Sequence, residues 1–308
     1  MKTILGIDIG GTAVKMGLVD EQGAVHAKTE ASVSFDGYQT PILQTVLKTT
    51  GDFLAARGVA AGELAGIGVS ATGQIDCVQG AVVGTGGNLP GWEFVPIKQT
   101  LQDRFGVKVR VANDANCVCL AEAWVGAAKG CTDVVCITLG TGLGGGILTG
   151  GKLLTGARGL GGELGHMPIH ALDGVPCSCG RRGCWEKYAA TTALIRSAKA
   201  KNPAFVDGRT LFAAAEAGDS TALALLEDWR GEITAGLVGL VHLFNPQIIL
   251  IGGGVSAQQR LLIDPLEARV KAAVMPAFAE GLTLRAAQLK NDAGMVGAAY
   301  YFLQNETA

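Results

Sequence analysis

The sequence predicts an α/β protein made of two similar halves, and three observations lead to this prediction. Short β-branched runs alternate with helical stretches along most of the chain. A strand–glycine turn–strand pattern at residues 9–12 recurs at residues 139–142, 130 positions later. The length of 308 residues suits two domains with a large buried core.

Composition narrows the class of protein. The 25 Lys and Arg residues nearly balance the 27 Asp and Glu residues, which argues against nucleic acid as a partner. A hydrophobic content of 48% excludes a disordered chain. The 46 glycines are about twice the usual share of ~7%, and their uneven spacing indicates tight loops.

The chain also lacks the patterns of membrane insertion and export. Its mean hydropathy is +0.32, but the longest apolar stretch, residues 233–244, is well short of the ~20 residues of a spanning helix. Only a few apolar residues separate Lys2 from Asp8, which is not a signal-peptide pattern. We therefore expect a cytoplasmic protein with no membrane partner and with reduced cysteines.

The first half begins with predicted strands at 3–9 and 14–19 on either side of a glycine turn. A helix at 41–57 and a strand at 65–70 follow. A β-branched strand at 107–112 then leads into a helix at 115–128, which we expect to close at Gly130.

The second half begins with a predicted strand at 133–139. Residues 191–245 are rich in Ala and Leu and predict helices. A buried strand at 247–251 precedes a glycine run and a helix ending near residue 274. We expect a small domain of residues 1–112 and a larger one of residues 113–291 facing it across a cleft, with a helix at 292–304 packing back on the first.

Two familiar glycine-loop motifs fail to fit the second turn. Residues 140–145 match G-x-G-x-x-G, but a strand follows where a dinucleotide site needs a helix N-terminus. Residues 146–152 mimic a P-loop, but Leu153 stands where a Ser or Thr would hold Mg²⁺. Both motifs are therefore rejected.

The remaining interpretation is a pair of hairpin turns whose backbone N–H groups line a polyphosphate. Thr12 and Thr141 add hydroxyl donors, and Asp8 suits a hydrated Mg²⁺. One such turn alone is more often an ordinary hairpin, but two in register with an Asp beside the first favour phosphate binding. We assign the following residues to the nucleotide site: Asp8, Gly10, Gly11, Thr12, Lys15, Gly140, Thr141, Gly142, Gly252, Gly253 and Gly254.

Asp114 is the candidate general base. It follows Asn113 where a strand gives way to a helix, and one interpretation is that Asp114 or Asn113 only caps that helix. As a base, Asp114 would take a proton from a hydroxyl that attacks a phosphate. The spacing alone does not separate the two interpretations.

Three cysteines in C-x-C-x4-C spacing predict a metal site. Cys177, Cys179 and Cys184 lie close together, and His166 precedes the first of them by eleven residues. Such a set suits a closed tetrahedral Zn²⁺ site, although a group of reactive thiols is the alternative. His170 is a weaker candidate ligand. The other cysteines sit in apolar surroundings typical of a core: Cys77, Cys117, Cys119, Cys131 and Cys136.

Carboxylates and an amide near this loop suit sugar hydroxyls. Glu163 and Glu186 lie on either side of the loop that contains Cys177–Cys184, here called the metal loop. Asn88 precedes a Leu-Pro-Gly-Trp segment in the first half. Trp92 suits either stacking on a sugar face or core packing. Surface glutamates are common, so the two glutamates alone do not establish a sugar site.

Taken together, these motifs resemble those of the ROK family of sugar kinases and sugar-responsive repressors. The matching segments run in the family's order at 8–12, 113–116, 139–146, 163–166, 177–186 and 251–255. The resemblance implies an actin-like ATPase fold (a duplicated ribonuclease H-like fold) that closes around ATP and a hexose. It also implies Asp114 as base, with sugar ligands Asn88, Asn113, Glu163, His166 and Glu186.

The resemblance implies that the zinc orders the sugar site and does no chemistry itself, and that the protein is a homodimer. The repressors carry a DNA-binding domain ahead of the first phosphate turn, and here that turn lies within ten residues of Met1. The spacing from His166 to the cysteines is slightly longer than the family pattern.

We expect an ATP-dependent kinase acting on the 6-hydroxyl of glucose. N-acetylmannosamine, N-acetylglucosamine, fructose and β-glucosides are alternative substrates, and polyphosphate is an alternative donor. A non-catalytic sugar sensor and an actin-like scaffold are alternatives from other classes.

Overall fold

The computed structural model describes residues 2–85 and 89–306. The strands are β1 (Thr3–Ile9), β2 (Ala13–Asp20), β3 (Val25–Ser32), β4 (Gly66–Ala71), β5 (Gln74–Asp76), β6 (Ala81–Gly84), β7 (Val109–Asn113), β8 (Val134–Leu139), β9 (Leu143–Thr149), β10 (Lys152–Leu153), β11 (Ile248–Gly252) and β12 (Thr283–Ala286). The α-helices are α1 (Ile42–Ala56), α2 (Ile97–Phe105), α3 (Asp114–Val125), α4 (Glu186–Ala189), α5 (Thr191–Lys201), α6 (Gly208–Glu216), α7 (Ser220–Phe244), α8 (Asp264–Ala273), α9 (Pro276–Ala279) and α10 (Ala293–Gln304).

The chain forms two compact units. The first consists of Met1–Lys129, Leu153–Gly162 and Asn291–Ala308, and the second of Gly130–Lys152 and Glu163–Lys290. Their division after residue 129 differs from the expected boundary at residue 112, because α3 packs against α10 and β7 within the first unit.

Each unit contains one five-stranded sheet, and the two sheets share a topology. The first has the order β3-β2-β1-β4-β7 and the second the order β10-β9-β8-β11-β12. In both, the opening strand pairs antiparallel with the next strand of the chain and parallel with a later one. The predicted duplicated α/β architecture is therefore confirmed.

The first sheet is covered by α10, which packs on β1 and β4. A Cβ atom at Gly6 would collide with the backbone of Met295, and one at Gly68 with that of Ala298. The glycines in these strands are thus required for the close approach of helix and sheet, which excludes solvent from the middle of the unit.

One predicted helix boundary is wrong. Helix α3 ends at Val125 instead of continuing to close at Gly130. The side chain of Glu122 is fully buried and accepts a hydrogen bond from the N–H of Ala127 at 2.7 Å, and this bond turns the chain out of the helix. None of the described helices is both long and apolar enough to cross a bilayer.

Candidate active site

The carboxyl ends of three parallel strands meet at one edge of the first sheet. Asp8 on β1 lies opposite Ser70 on β4, and Asn113 ends β7 opposite the last residue of β4. The hydroxyl of Ser70 donates to Oδ1 of Asp8 at 2.6 Å. Lys15 is the partner of Asp8 on β2, and Gly294 of α10 leaves room for the Asp8 carboxylate. This edge therefore brings polar side chains of neighbouring strands together.

Asp114 follows this edge as the first residue of α3. Burial and the nearby charge of Asp8 raise its pKa from 3.8 to about 6, although hydrogen bonds from Ala115, Asn113 and Thr72 act in the opposite direction. Burial likewise raises the pKa of Asp8, against the effects of Ser70 and Lys15. A carboxylate with a pKa near 6 is mostly ionised at neutral pH and still accepts a proton readily.

The helix cap at this position is Asn113. Its Oδ1 accepts from the N–H groups of Ala115 at 3.0 Å and Asn116 at 3.3 Å, and its Nδ2 donates to the carbonyl of Gly73 at 2.9 Å. Asp114 also accepts from Ala115, at 2.8 Å. Capping is thus carried mainly by Asn113, whose role as a sugar ligand stays a prediction.

The first glycine turn joins β1 to β2. The N–H of Gly10 donates to the carbonyl of Ala13 at 2.9 Å, and Thr12 is exposed. A Cβ atom at Gly11 would lie 3.1 Å from the side chain of Leu89. The turn is therefore tight, backed by an apolar side chain and open at Thr12.

The second turn joins β8 to β9. The N–H of Gly140 donates to the carbonyl of Gly142 at 3.0 Å. The carboxylate of Glu186 packs against Gly142 and accepts from the N–H of Leu143 at 3.2 Å. Gly253, at φ 92°, lies against the carbonyl of Leu139, so this turn and the glycine run after β11 are neighbours.

A cavity of about 810 Å³ opens beside the second turn, entirely within the second unit. The sequence motifs mark only its glycine-rich side. The remaining wall comes from α5, α6 and the segment between them, and these residues were missed: Thr191, Thr192, Ile195, Arg196, Lys199, Val206, Asp207, Gly208, Arg209 and Phe212. Apolar and basic side chains share this wall, a mixture that suits a nucleoside carrying phosphates. No local motif marks these positions, because only tertiary packing brings them to the turn.

The predicted metal ligands form one cluster. The ligand atoms of His166, Cys177, Cys179 and Cys184 all lie within 4.8 Å of one another. Nδ1 of His166 is 3.6 Å from Sγ of Cys177, and the sulfurs of Cys179 and Cys184 are also 3.6 Å apart. Tetrahedral Zn²⁺ with Zn–S bonds of ~2.3 Å places neighbouring ligand atoms roughly 3.5–3.8 Å apart. The donor set and its spacing therefore fit Zn²⁺.

The two histidines near this loop have different surroundings. Nε2 of His166 faces away from the thiols and lies 3.9 Å from a carboxylate oxygen of Glu163. His170 pairs with Glu232 at 2.9 Å and stacks on Tyr188. His166 is therefore the histidine that the structure brings to the cysteines.

Asn88, Trp92 and the cysteines outside the cluster are the remaining predicted positions. Asn88 lies outside the described residues. Trp92 is fully buried and donates to the carbonyl of Thr72 at 3.0 Å, so it packs in the core of the first unit instead of offering a face to a sugar. Of the cysteines predicted as core residues, Cys131 is half-buried and the others are buried.

Comparison with known proteins agrees with the resemblance. The chain matches the ROK family model over residues 4–305. It is 36% identical to a glucokinase from Thermotoga maritima, with 96% of each chain covered. It is 32% identical to a β-glucoside kinase from Listeria monocytogenes, with 98% of each chain covered.

A solved structure extends the comparison to the fold. The crystal structure of a ROK family glucokinase from Streptomyces griseus in complex with glucose and AMPPNP shares 32% identity and a TM-score of 0.78, covering 96% of this chain and 98% of that chain. The predicted actin-like ATPase fold is confirmed by this likeness. The chain belongs to the ROK family.

Proposed function

We propose that this protein is a sugar kinase that transfers the γ-phosphate of ATP to the 6-hydroxyl of glucose. The observation that carries the proposal is Asp114, a carboxylate with its pKa raised to about 6, beside a second acid at the edge of the first sheet. That is the state required of a base acting near neutral pH. The glucokinases among its relatives support glucose as the acceptor.

ATP would use both glycine turns and the cavity of the second unit. The apolar side chains of Ile195, Phe212 and Val255 suit the adenine ring, and the backbone N–H groups of the turns suit the phosphates. Asp8 would hold Mg²⁺ through water, as this ion prefers one or two carboxylates. The ion would offset the negative charge of the phosphates during transfer.

The sugar would be held by hydrogen bonds to carboxylates, amides and an imidazole. We assign this role to Asn88, Asn113, Asp114, Glu163, His166 and Glu186. Zn²⁺ on the thiols and on Nδ1 of His166 would fix the ring and leave Nε2 for a sugar oxygen. The metal would order the loop without taking part in the reaction.

In the reaction, Asp114 accepts the proton of the sugar hydroxyl while that oxygen attacks the γ-phosphorus. The new O–P bond replaces the bond between the γ-phosphorus and the oxygen of ADP, which leaves with its electron pair. Positioning and electrostatics supply most of the rate enhancement, and the base contributes ~10²–10⁴-fold.

The test is coupled ADP release with Mg-ATP across hexoses, N-acetylhexosamines and β-glucosides. We expect turnover with glucose. Turnover confined to a β-glucoside would favour the activity named for the Listeria monocytogenes relative, and turnover with polyphosphate in place of ATP would extend the donor range. Tight sugar binding without any turnover would instead make the protein a sensor. The homodimer and the cytoplasmic location stay predictions.

A further inference from the structure

In each of the two glycine turns, a side-chain hydroxyl donates a hydrogen bond to the peptide carbonyl at the equivalent position. The hydroxyl of Tyr38 donates to the carbonyl of Gly11 at 2.8 Å. The hydroxyl of Thr192 donates to the carbonyl of Thr141 at 2.7 Å. Residues 11 and 141 are equivalent in the repeat, since each is the second residue after the opening strand of its sheet.

The two hydroxyls come from non-equivalent parts of the chain. Tyr38 lies in the loop between β3 and α1, whereas Thr192 lies in the first turn of α5. Duplication of the sheet therefore did not supply both of them. Unrelated side chains thus fix the equivalent carbonyl in both turns. This indicates that the turns themselves require a fixed peptide orientation at that position.

Fixing this carbonyl orients the N–H group that follows it. In a trans peptide the C=O and N–H bonds point in opposite directions. The N–H groups of Thr12 and Gly142 therefore point away from Tyr38 and Thr192. Within residues 2–85 and 89–306, neither N–H donates a hydrogen bond. Each turn thus presents one oriented donor.

The loop that carries Tyr38 is built at a conformational cost. Tyr38 has φ 65°, in the left-handed region that disfavours a residue with a large side chain. Asp36 stabilises the loop by accepting from the N–H of Thr40 at 2.9 Å and from its hydroxyl at 2.7 Å. A strained residue in a loop braced by side-chain hydrogen bonds is typical of a position under functional constraint.

We propose that Tyr38 and Thr192 are positioning residues that hold the N–H groups of Thr12 and Gly142 toward the phosphates of ATP. This inference rests on the proposed nucleotide site, but it assigns residues that the motifs did not identify. Neither side chain touches the reacting atoms. Each acts through the peptide group that it holds.

The experiment compares Tyr38→Phe and Thr192→Val, which remove only the hydroxyl or replace it by a methyl. Affinity for AMP-PNP, measured by calorimetry, should fall ~3–10-fold in each variant, the range for loss of one hydrogen bond. Affinity for adenosine should stay within about twofold of wild type, because the hydroxyls act only on the phosphate turns. In the double variant, the affinity for AMP-PNP should fall by the product of the two single-variant factors.

Two control variants accompany the test. Thr192→Ser keeps the hydroxyl and should bind AMP-PNP as wild type does. Tyr300→Phe removes a hydroxyl from a ring that stacks on Trp124 on the first unit, and it should change nothing. If Tyr38→Phe does not fold, Thr192→Val tests the second turn independently.

The outcomes separate this inference from the proposed function. Unchanged AMP-PNP affinity in the variants, or an equal loss for adenosine, would overturn the positioning role. Wild-type protein that binds AMP-PNP but phosphorylates no sugar would refute the kinase proposal and still leave the two affinities to be compared. A selective loss for AMP-PNP supports the inference in either case.

Discussion

The two units share a sheet topology but differ in the segments that leave each sheet edge. In the first unit, α3 begins directly after β7 and places Asp114 beside Asp8. In the second unit, the segments after β10 and β11 supply the thiol cluster and the glycine run, and α5 and α6 complete the cavity. The duplicated sheets thus provide equivalent edges, whereas the side chains proposed for chemistry come from the unrelated segments joined to them.

The neighbours of the two glycine turns show the same divergence. The first turn is backed by the apolar side chain of Leu89 at Gly11. The second turn is supported by Glu186, which comes two residues after the predicted metal ligand Cys184 and accepts from the N–H of Leu143 at 3.2 Å. A change in the metal loop should therefore reach the second turn through this carboxylate. Substitutions in each unit can test this division.

The largest effect is expected at the proposed base, Asp114, which lies in the first unit. Asp114→Asn should lower kcat at least ~100-fold, because the amide cannot accept the proton. Coupled ADP release measures the rate, and calorimetry should show that sugar binding is retained. Asp103→Asn, an exposed acid on α2, is the control. Near wild-type turnover by Asp114→Asn would show that the base lies elsewhere.

The metal loop distinguishes the second unit. Cys179→Ser should abolish zinc binding and weaken sugar affinity ~10–100-fold, since the proposed zinc would orient His166. ATP affinity should fall by a smaller factor, transmitted through Glu186. Metal analysis and two titrations measure these effects, with Cys131→Ser outside the cluster as control. Wild-type protein purified without zinc would remove the premise.

The pH dependence of the reaction should reflect the raised pKa of Asp114. Its pKa is raised from 3.8 to about 6, and the base must be ionised to act. The value of kcat/KM for the sugar should therefore be level above pH 7 and fall below pH 6, being about tenfold lower at pH 5. A profile that stays level down to about pH 4.5 would contradict the raised pKa.

A matched pair of substitutions separates the two roles assigned to Glu186. Glu186→Gln keeps an oxygen that accepts from Leu143 and should affect sugar affinity alone. Glu186→Ala removes this acceptor and should also weaken ATP affinity, by ~3–10-fold. Equal ATP affinities in the two variants would show that the hydrogen bond to Leu143 does not support the turn.

The comparison also explains what the sequence could predict. Local signals marked both hairpins, the strand edge at Asn113 and the closely spaced ligands of the metal loop. Strand β3 was missed because alternate residues are exposed and five of its eight residues are polar or charged. The α5–α6 wall of the cavity was missed because residues such as Arg196 and Phe212 reach the cavity only through tertiary packing. Motifs formed by residues close in sequence could thus be predicted, whereas contacts between residues distant in sequence could not.

The smallest predicted effect is on thermal stability, and it again concerns a residue of the first unit. The native pKa of Asp114, about 6, exceeds its ordinary value of 3.8, so ionising this carboxylate destabilises the fold as the pH rises through this interval. Asp114→Asn removes the charge and should raise Tm at about pH 8 by ~2 °C. The gain should shrink toward about pH 4, where the native carboxyl is protonated and the penalty for ionising it is no longer felt. Thermal unfolding of wild type, Asp114→Asn and Asp103→Asn at both pH values measures it. A lower Tm for Asp114→Asn at the higher pH would mean that hydrogen bonds to the carboxylate outweigh the effect of its burial beside Asp8. In that case the ionised carboxylate of Asp114 would not destabilise the fold.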